Sequence, residues 1–201
     1  MEFFRAVPRA SLDPGKRHRW NADRRMPSNI PFFIDNLWEV FRPAGMPSRR
    51  HSVYASPTPA LAMENASAGN LQRDQYIACR IRFDYPPRVV QLNVTDARFH
   101  PDVKALQGLI RKHLGREWSK SRFIDKAGLA ALFLPVVSAV ELRESASMIP
   151  ALKDIIGDAE ELVTIWQSRP EPGSDGELFF ELQEDNSYVL QPVTAIPPER
   201  R

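Results

Sequence analysis

Arg49-Arg50-His51-Ser52-Val53-Tyr54-Ala55-Ser56-Pro57-Thr58-Pro59-Ala60-Leu61-Ala62-Met63-Glu64 gathers an aromatic ring, two hydroxyls and a carboxylate around one strand-to-helix junction. The stretch reads as a short strand ending at Tyr54, a Ser-Pro-Thr-Pro turn and a helix starting near Pro59. Thr58 is placed to cap that helix, and Pro59 suits its first position, where a missing N–H costs nothing. A helix N-terminus favours anions, so a phosphate can dock here. The same residues also make an ordinary capped helix after an edge strand, and both readings stand at this point.

Other chemistries lack their signatures. There is no Gly-x-x-x-x-Gly-Lys-Ser/Thr loop, no Gly-x-Gly-x-x-Gly and no Gly-x-Ser-x-Gly elbow. The four histidines, His18, His51, His100 and His113, are scattered without metal-ligand spacing, so no metal site is expected. The single cysteine excludes an internal disulfide. Cys79 lies in Ile77-Ala78-Cys79-Arg80-Ile81 and reads as a small core residue on a strand.

The elements that must hold these groups follow from periodicity. Residues 3–7 form a first strand cut off by Pro8, and residues 8–31 a basic, irregular segment. Residues 31–41 carry apolar side chains at helical spacing. Strands are expected over 75–84 and 88–94, joined at Tyr85-Pro86-Pro87, and a helix over 102–113 ending at Gly115. Residues 123–140 read as helical in places, with a strand alternative over 133–137; residues 151–166 read as one broken helix or two short ones joined at Gly157. Residues 178–182 and 188–193 are expected to pair as a C-terminal hairpin within 177–193, and the tail from Pro197 to fray. Without a regular βαβ cadence, the expectation is one α+β domain over 1–201, with small mixed or antiparallel sheets flanked by helices.

Four features on separate elements resemble, in this order, the RES-domain family. They are Arg5, Arg19-Trp20-Asn21, Tyr54 followed ten residues on by Glu64, and Ser121-Arg122 before an apolar run. The family is related to the ADP-ribosyltransferase superfamily and is named for its Arg, Glu and Ser positions. The resemblance spans roughly residues 3–135. Arg17-His18 stand where the family carries glycine, and the separation of Asn21 from Tyr54 exceeds the family's, so Arg49 or Arg50 can take the place of Arg19.

The resemblance implies an ADP-ribosyltransferase-like fold and an enzyme that cleaves the nicotinamide–ribose bond of NAD, as a glycohydrolase or phosphorylase. It also implies the toxin of a toxin–antitoxin pair, with an antitoxin protein as partner. Glu64 would stabilise the oxocarbenium-like sugar or orient the ribose hydroxyls, and Tyr54 would pack on the nicotinamide ring. Ser121 would hydrogen-bond the carboxamide or a ribose, and Arg5 and Arg19 would hold the pyrophosphate. A sister reading within the superfamily uses Arg5, Ser56 and a late carboxylate, Glu177 or Glu181, to transfer ADP-ribose to a macromolecule. Strand alternation puts Glu177, Phe179 and Glu181 on one face and Leu178, Phe180 and Leu182 on the other. Each residue also has a plainer use: surface charge for Arg5, Arg19 and Glu64, a core ring for Tyr54, a helix cap for Ser121.

With 43% hydrophobic and 26% charged residues, the 201-residue chain can bury one good core. No apolar run is long enough for a membrane span, and the start lacks a secretory pattern, so a cytoplasmic protein with no membrane partner is expected. Residues 1–50 hold ten Arg/Lys against five Asp/Glu, whereas residues 140–201 hold five against thirteen. The basic third suits phosphates, and the acidic third argues against a nucleic-acid binder. A non-enzymatic, basic-faced binding module is the remaining alternative.

Overall fold

The computed structural model describes residues 1–21, 23–26, 29–66, 72–115, 117–171 and 173–193, without the side chains of Ser119, Phe123 and Asp125. The tail from Pro197, and the polar loop from residue 67 to 71, lie outside the described residues. In chain order come β1 (Phe4–Pro8), β2 (His18–Arg19), α1 (Phe32–Val40), β3 (Val53–Ala55), α2 (Pro59–Ala66), β4 (Tyr76–Phe83) and β5 (Arg88–Gln91). Five helices follow, α3 (Pro101–Leu114), α4 (Phe123–Ala127), α5 (Ala130–Phe133), α6 (Ala139–Met148) and α7 (Pro150–Ala159), and then β6 (Leu178–Glu181) and β7 (Ser187–Pro192). The fold is α+β, as expected. One antiparallel sheet has the order β1-β4-β7-β2 and the other β3-β6-β5. They touch edgewise where Phe4 and Ser56 exchange backbone hydrogen bonds of 2.8 and 2.7 Å.

Strand β6 carries the logic of the two cores. Leu178 and Phe180, with Leu182 beyond the strand, face the first sheet and pack with Cys79, Ile81, Tyr188 and Leu190. Phe179 faces the other way, into the helical core with Trp38, Leu106, Ile155 and Trp166. A strand buried on both faces reads as a continuous apolar run, and Leu178-Phe179-Phe180 is one.

The expected C-terminal hairpin does not form. Strands β6 and β7 belong to different sheets, and so do β4 and β5. Each pair of strands carries an apolar face that is better buried by stacking sheet on sheet than by pairing edge to edge. Both connections therefore turn a corner, and buried Asn186 staples the corners together. Its amide donates to the Tyr85 carbonyl at 2.9 Å, and its Oδ1 accepts from the Tyr85 N–H at 3.2 Å. Beside it, Ser187 Oγ donates to the Asp84 carboxylate, which also receives Arg17 Nη1 at 2.5 Å.

Local signals were sound for the helices. Thr58 Oγ1 accepts from the Leu61 N–H at 3.2 Å, capping α2. Helix α3 ends at Gly115, whose φ of +67° suits a residue without Cβ. Two expectations need correction. Helix α7 runs through Gly157 and stops after Ala159, and no strand forms over 133–137. Instead α5 ends at Phe133 and the chain turns, with Val136 in the left-handed region at φ +50°. No helix among the described residues is long and apolar enough to cross a membrane.

Because Asn186 bonds both backbone groups of Tyr85, Asn186→Ala removes the two hydrogen bonds that join the corners. Urea denaturation is expected to show a loss of about 1–3 kcal/mol; a loss within experimental error would show that the corners hold without it.

Candidate functional site

Where the two sheets meet at Phe4 and Ser56, a cleft of about 820 Å³ opens. Strand β1 supplies Arg5, β3 supplies Tyr54, and α2 supplies Glu64 and Asn65. The segment at 25–29 adds Arg25, the turn at 95–98 adds Asp96 and Arg98, and the residue before β6 is Glu177. Five arginines (Arg5, Arg25, Arg49, Arg50, Arg98) and four carboxylates (Asp35, Glu64, Asp96, Glu177) line the walls. Several are already engaged. Arg98 pairs with Asp96 at 2.9 Å, and Arg25 Nη2 donates to the Ser52 carbonyl at 2.8 Å. Ser56 Oγ accepts from the Asn65 amide at 3.2 Å, so the Ser56 hydroxyl is tied to α2. Arg5 and Arg25 form no ion pair with a described residue. Arg5 also faces Tyr188, whose hydroxyl is pushed up by burial and pulled back by Arg5.

The adjacent Arg49 and Arg50 are both buried, but in opposite circumstances. Arg50 has its fork filled: Nε to Asp35 at 2.7 Å, Nη2 to the Asn36 oxygen at 2.6 Å and Nη1 to the Val137 carbonyl at 2.5 Å. Burial pushes Asp35 up, and Arg50 pulls it back. Arg49 instead sits among three rings, 5.0 Å from the centre of Tyr54, 5.2 Å from Phe179 and 5.3 Å from Trp38. Its Nε and Nη1 have no hydrogen-bond partner, and the nearest carboxylate oxygen, Glu177 Oε2, is 3.7 Å from Nη1.

Glu177 is held by the chain on either side. Its N–H donates to the Val94 carbonyl and its own carbonyl accepts from Leu92, at 2.8 and 2.9 Å. Oε2 accepts from the Ala97 N–H at 3.2 Å. Burial pushes this carboxyl above the usual glutamate range; Arg49 opposes the rise and Asp96 adds to it. Burial likewise raises the Tyr54 hydroxyl, which stays protonated and donates to the Arg49 carbonyl at 2.9 Å.

Of the residues singled out by sequence, Arg5, Tyr54, Ser56 and Glu64 share this cleft. Arg19 and Ser121 are not among its walls. Arg19 is exposed on β2 opposite Ser187, and Ser121 donates to the Trp118 carbonyl at 2.7 Å. Arg49 and Arg50, the expected substitutes for Arg19, do line it. The two late carboxylates separate: Glu177 enters the cleft, whereas Glu181, four residues along the same face, accepts from the Ser48 N–H at 2.8 Å. Sequence reading missed Arg25, Asp35, Asp96 and Arg98. Arg25 had a weak signal in the basic segment 8–31; Asp96 had none beyond starting a short turn, where it accepts from the Arg98 N–H. Among the described residues, no group of three or more His, Cys, Asp or Glu side chains is arranged to hold a metal ion.

Comparison with family models, curated proteins and solved structures finds no match to this chain. The chemistry of the walls must therefore speak for the ligand. Arginines at the rim suit phosphates, and carboxylates with amide and hydroxyl groups suit sugar hydroxyls.

The raised carboxyl has a consequence for stability. A glutamate whose folded pKa lies above its unfolded one destabilises the fold at high pH, and this cost fades as pH falls through the folded pKa toward the ordinary value of about 4.3. Glu177→Gln is therefore expected to be more stable than wild type at about pH 8, with the gain narrowing as pH falls toward about 4.5. Denaturant midpoints at several pH values test this, and a gain independent of pH would count against the raised carboxyl.

Proposed function

We propose that the cleft binds NAD and breaks the nicotinamide–ribose bond. The observation that carries this reading is the convergence of Arg5, Tyr54 and Glu64 on one cleft. These residues come from β1, β3 and α2, and they are ones on which the chain resembles the RES-domain family. The cleft volume falls in the range of about 300–1,000 Å³ typical of ligand sites. Arg5 and Arg25 form no ion pair with a described carboxylate and suit the pyrophosphate, as a guanidinium fork matches two phosphate oxygens.

Bond cleavage leaves the electron pair on nicotinamide, which departs neutral, and leaves positive charge on the ribose. Glu64 stands to stabilise that charge, as carboxylates do in glycoside hydrolysis. Tyr54 forms the wall against which the nicotinamide ring packs, with its hydroxyl tied to Arg49. An ADP-ribosyltransferase-like arrangement of the sheets, the role of a toxin and an antitoxin partner belong to the same proposal and rest on the same resemblance.

One observation favours a second reading. Glu177, just before a late strand, lines the same cleft as Arg5 and Ser56, so an Arg-Ser-Glu set of the transferase kind is available with Glu177 in place of Glu181. In that case the acceptor is a macromolecule and not water or phosphate.

Nicotinamide release from NAD by the purified protein, with and without phosphate, tests the proposal. Arg5→Ala and Glu64→Ala are expected to lower release by about 100-fold or more, whereas Arg19→Ala and Ser121→Ala stay near wild type. Dependence on phosphate distinguishes phosphorolysis from hydrolysis. Absence of both release and NAD binding overturns the reading and leaves the binding module.

A further inference from the structure

A guanidinium taken out of water is costly unless its donors find partners. Arg50 meets that condition and Arg49 does not. A purely structural Arg–Glu pair closes to bidentate contact near 2.8 Å, yet Arg49 Nη1 stays 3.7 Å from Glu177. The side chains are 4% and 13% exposed, so little water weakens their mutual field. Three aromatic faces clamp the guanidinium in place. They supply attraction to the cation without supplying a hydrogen-bond acceptor. The positive charge is thus fixed beside Glu177 while the carboxylate is not locked into a fork. Both contacts of Glu177 fall on Oε2, and Oε1 forms no hydrogen bond with a described residue.

We propose that Glu177 is the carboxylate that takes the proton from the attacking acceptor, and that Arg49 is the positioning residue that holds Glu177 in place. The inference rests on the reading of the cleft as the place where an N-ribosyl bond is cleaved. The acceptor oxygen forms its bond to the ribose C1′ as the bond from C1′ to nicotinamide breaks. The electron pair leaves with neutral nicotinamide. With water as acceptor, its O–H proton passes to Glu177 Oε1 and then to solvent, so NAD and water give ADP-ribose, nicotinamide and a proton.

Glu64 is exposed on α2, whereas Glu177 is enclosed between Arg49 and the turn after β5. The groups facing Glu177 are Arg49 and Tyr54 from the segment through β3, and Asp96 and the Ala97 N–H from the turn after β5. Burial and Asp96 strengthen its hold on a proton, and Arg49 weakens that hold.

The test is a carbon-13 NMR titration of the Glu177 carboxyl in wild type, Arg49→Met and Arg49→Lys, beside the pH profile of kcat/KM for NAD hydrolysis. Arg49→Met is expected to raise the proton affinity of Glu177 about tenfold or more. The acid limb of kcat/KM should move up by the same amount, and Arg49→Lys should return both toward wild type. Glu177→Gln, which keeps the shape, should lower hydrolysis about 100-fold and abolish that limb. It serves as the second variant if Arg49→Met does not fold. A Glu177 midpoint unmoved by Arg49→Met overturns the role of Arg49, and an acid limb that survives Glu177→Gln overturns the role of Glu177. A wild type that cleaves no NAD overturns the functional reading beneath both, and the titration distinguishes that outcome from a failure of the pair.

Discussion

The guanidinium of Arg50 is the point on which the cleft depends. It joins α1, through Asp35 and Asn36, to the segment leading into β3 and to the turn after α5. Asn36 extends the joint by donating to the Leu132 and Leu134 carbonyls, both at 2.8 Å. A charged cluster this deep tolerates only one arrangement, because any member removed leaves the others unpaired. Arg49 directly precedes Arg50, so fixing Arg50 also limits where Arg49 can stand. Arg49 itself stands among its three rings.

The helical layer reaches the same point by another route. Asp102, at the start of α3, accepts from the Trp38 indole, the Thr164 hydroxyl and N–H, and the Ile165 N–H. Burial alone would push this carboxyl up, but hydrogen bonds from His100, Thr164 and Ile165 outweigh it and hold Asp102 below the usual range. It stays charged and keeps Trp38 in one orientation, while Trp166 returns a bond to the Trp38 carbonyl at 2.8 Å. Trp38 is one wall of the cage around Arg49. Packing far from the cleft is therefore transmitted to it through rigid rings.

What was legible in the sequence was local. Apolar spacing located α1 and α3, Thr58-Pro59 the start of α2, and alternation assigned the two faces of β6 correctly before any pairing was known. Strand partnership was not legible. The connections at 84–87 and 182–186 are short enough for hairpins, and only the burial of both strand faces decides that they turn corners. In the cleft, Arg5, Tyr54, Ser56 and Glu64 were found by pattern. Arg49 and Arg50 are the same letter twice, and the difference between a filled fork and an empty one is a property of three dimensions. Asp96 and Arg98 come from a turn with no periodicity to mark it.

Strand β4 has one neighbour early in the chain and one late: Arg80 lies opposite both Phe4 and Gln191. During translation β1 and β4 can meet, but β4 must wait with an open edge until β7 has left the ribosome. An open edge is a template for pairing with other nascent chains, and contacts of such wide sequence separation slow folding. Glu177 emerges in the same late portion, so the cleft gains its buried carboxylate only as the sheet loses its sticky border.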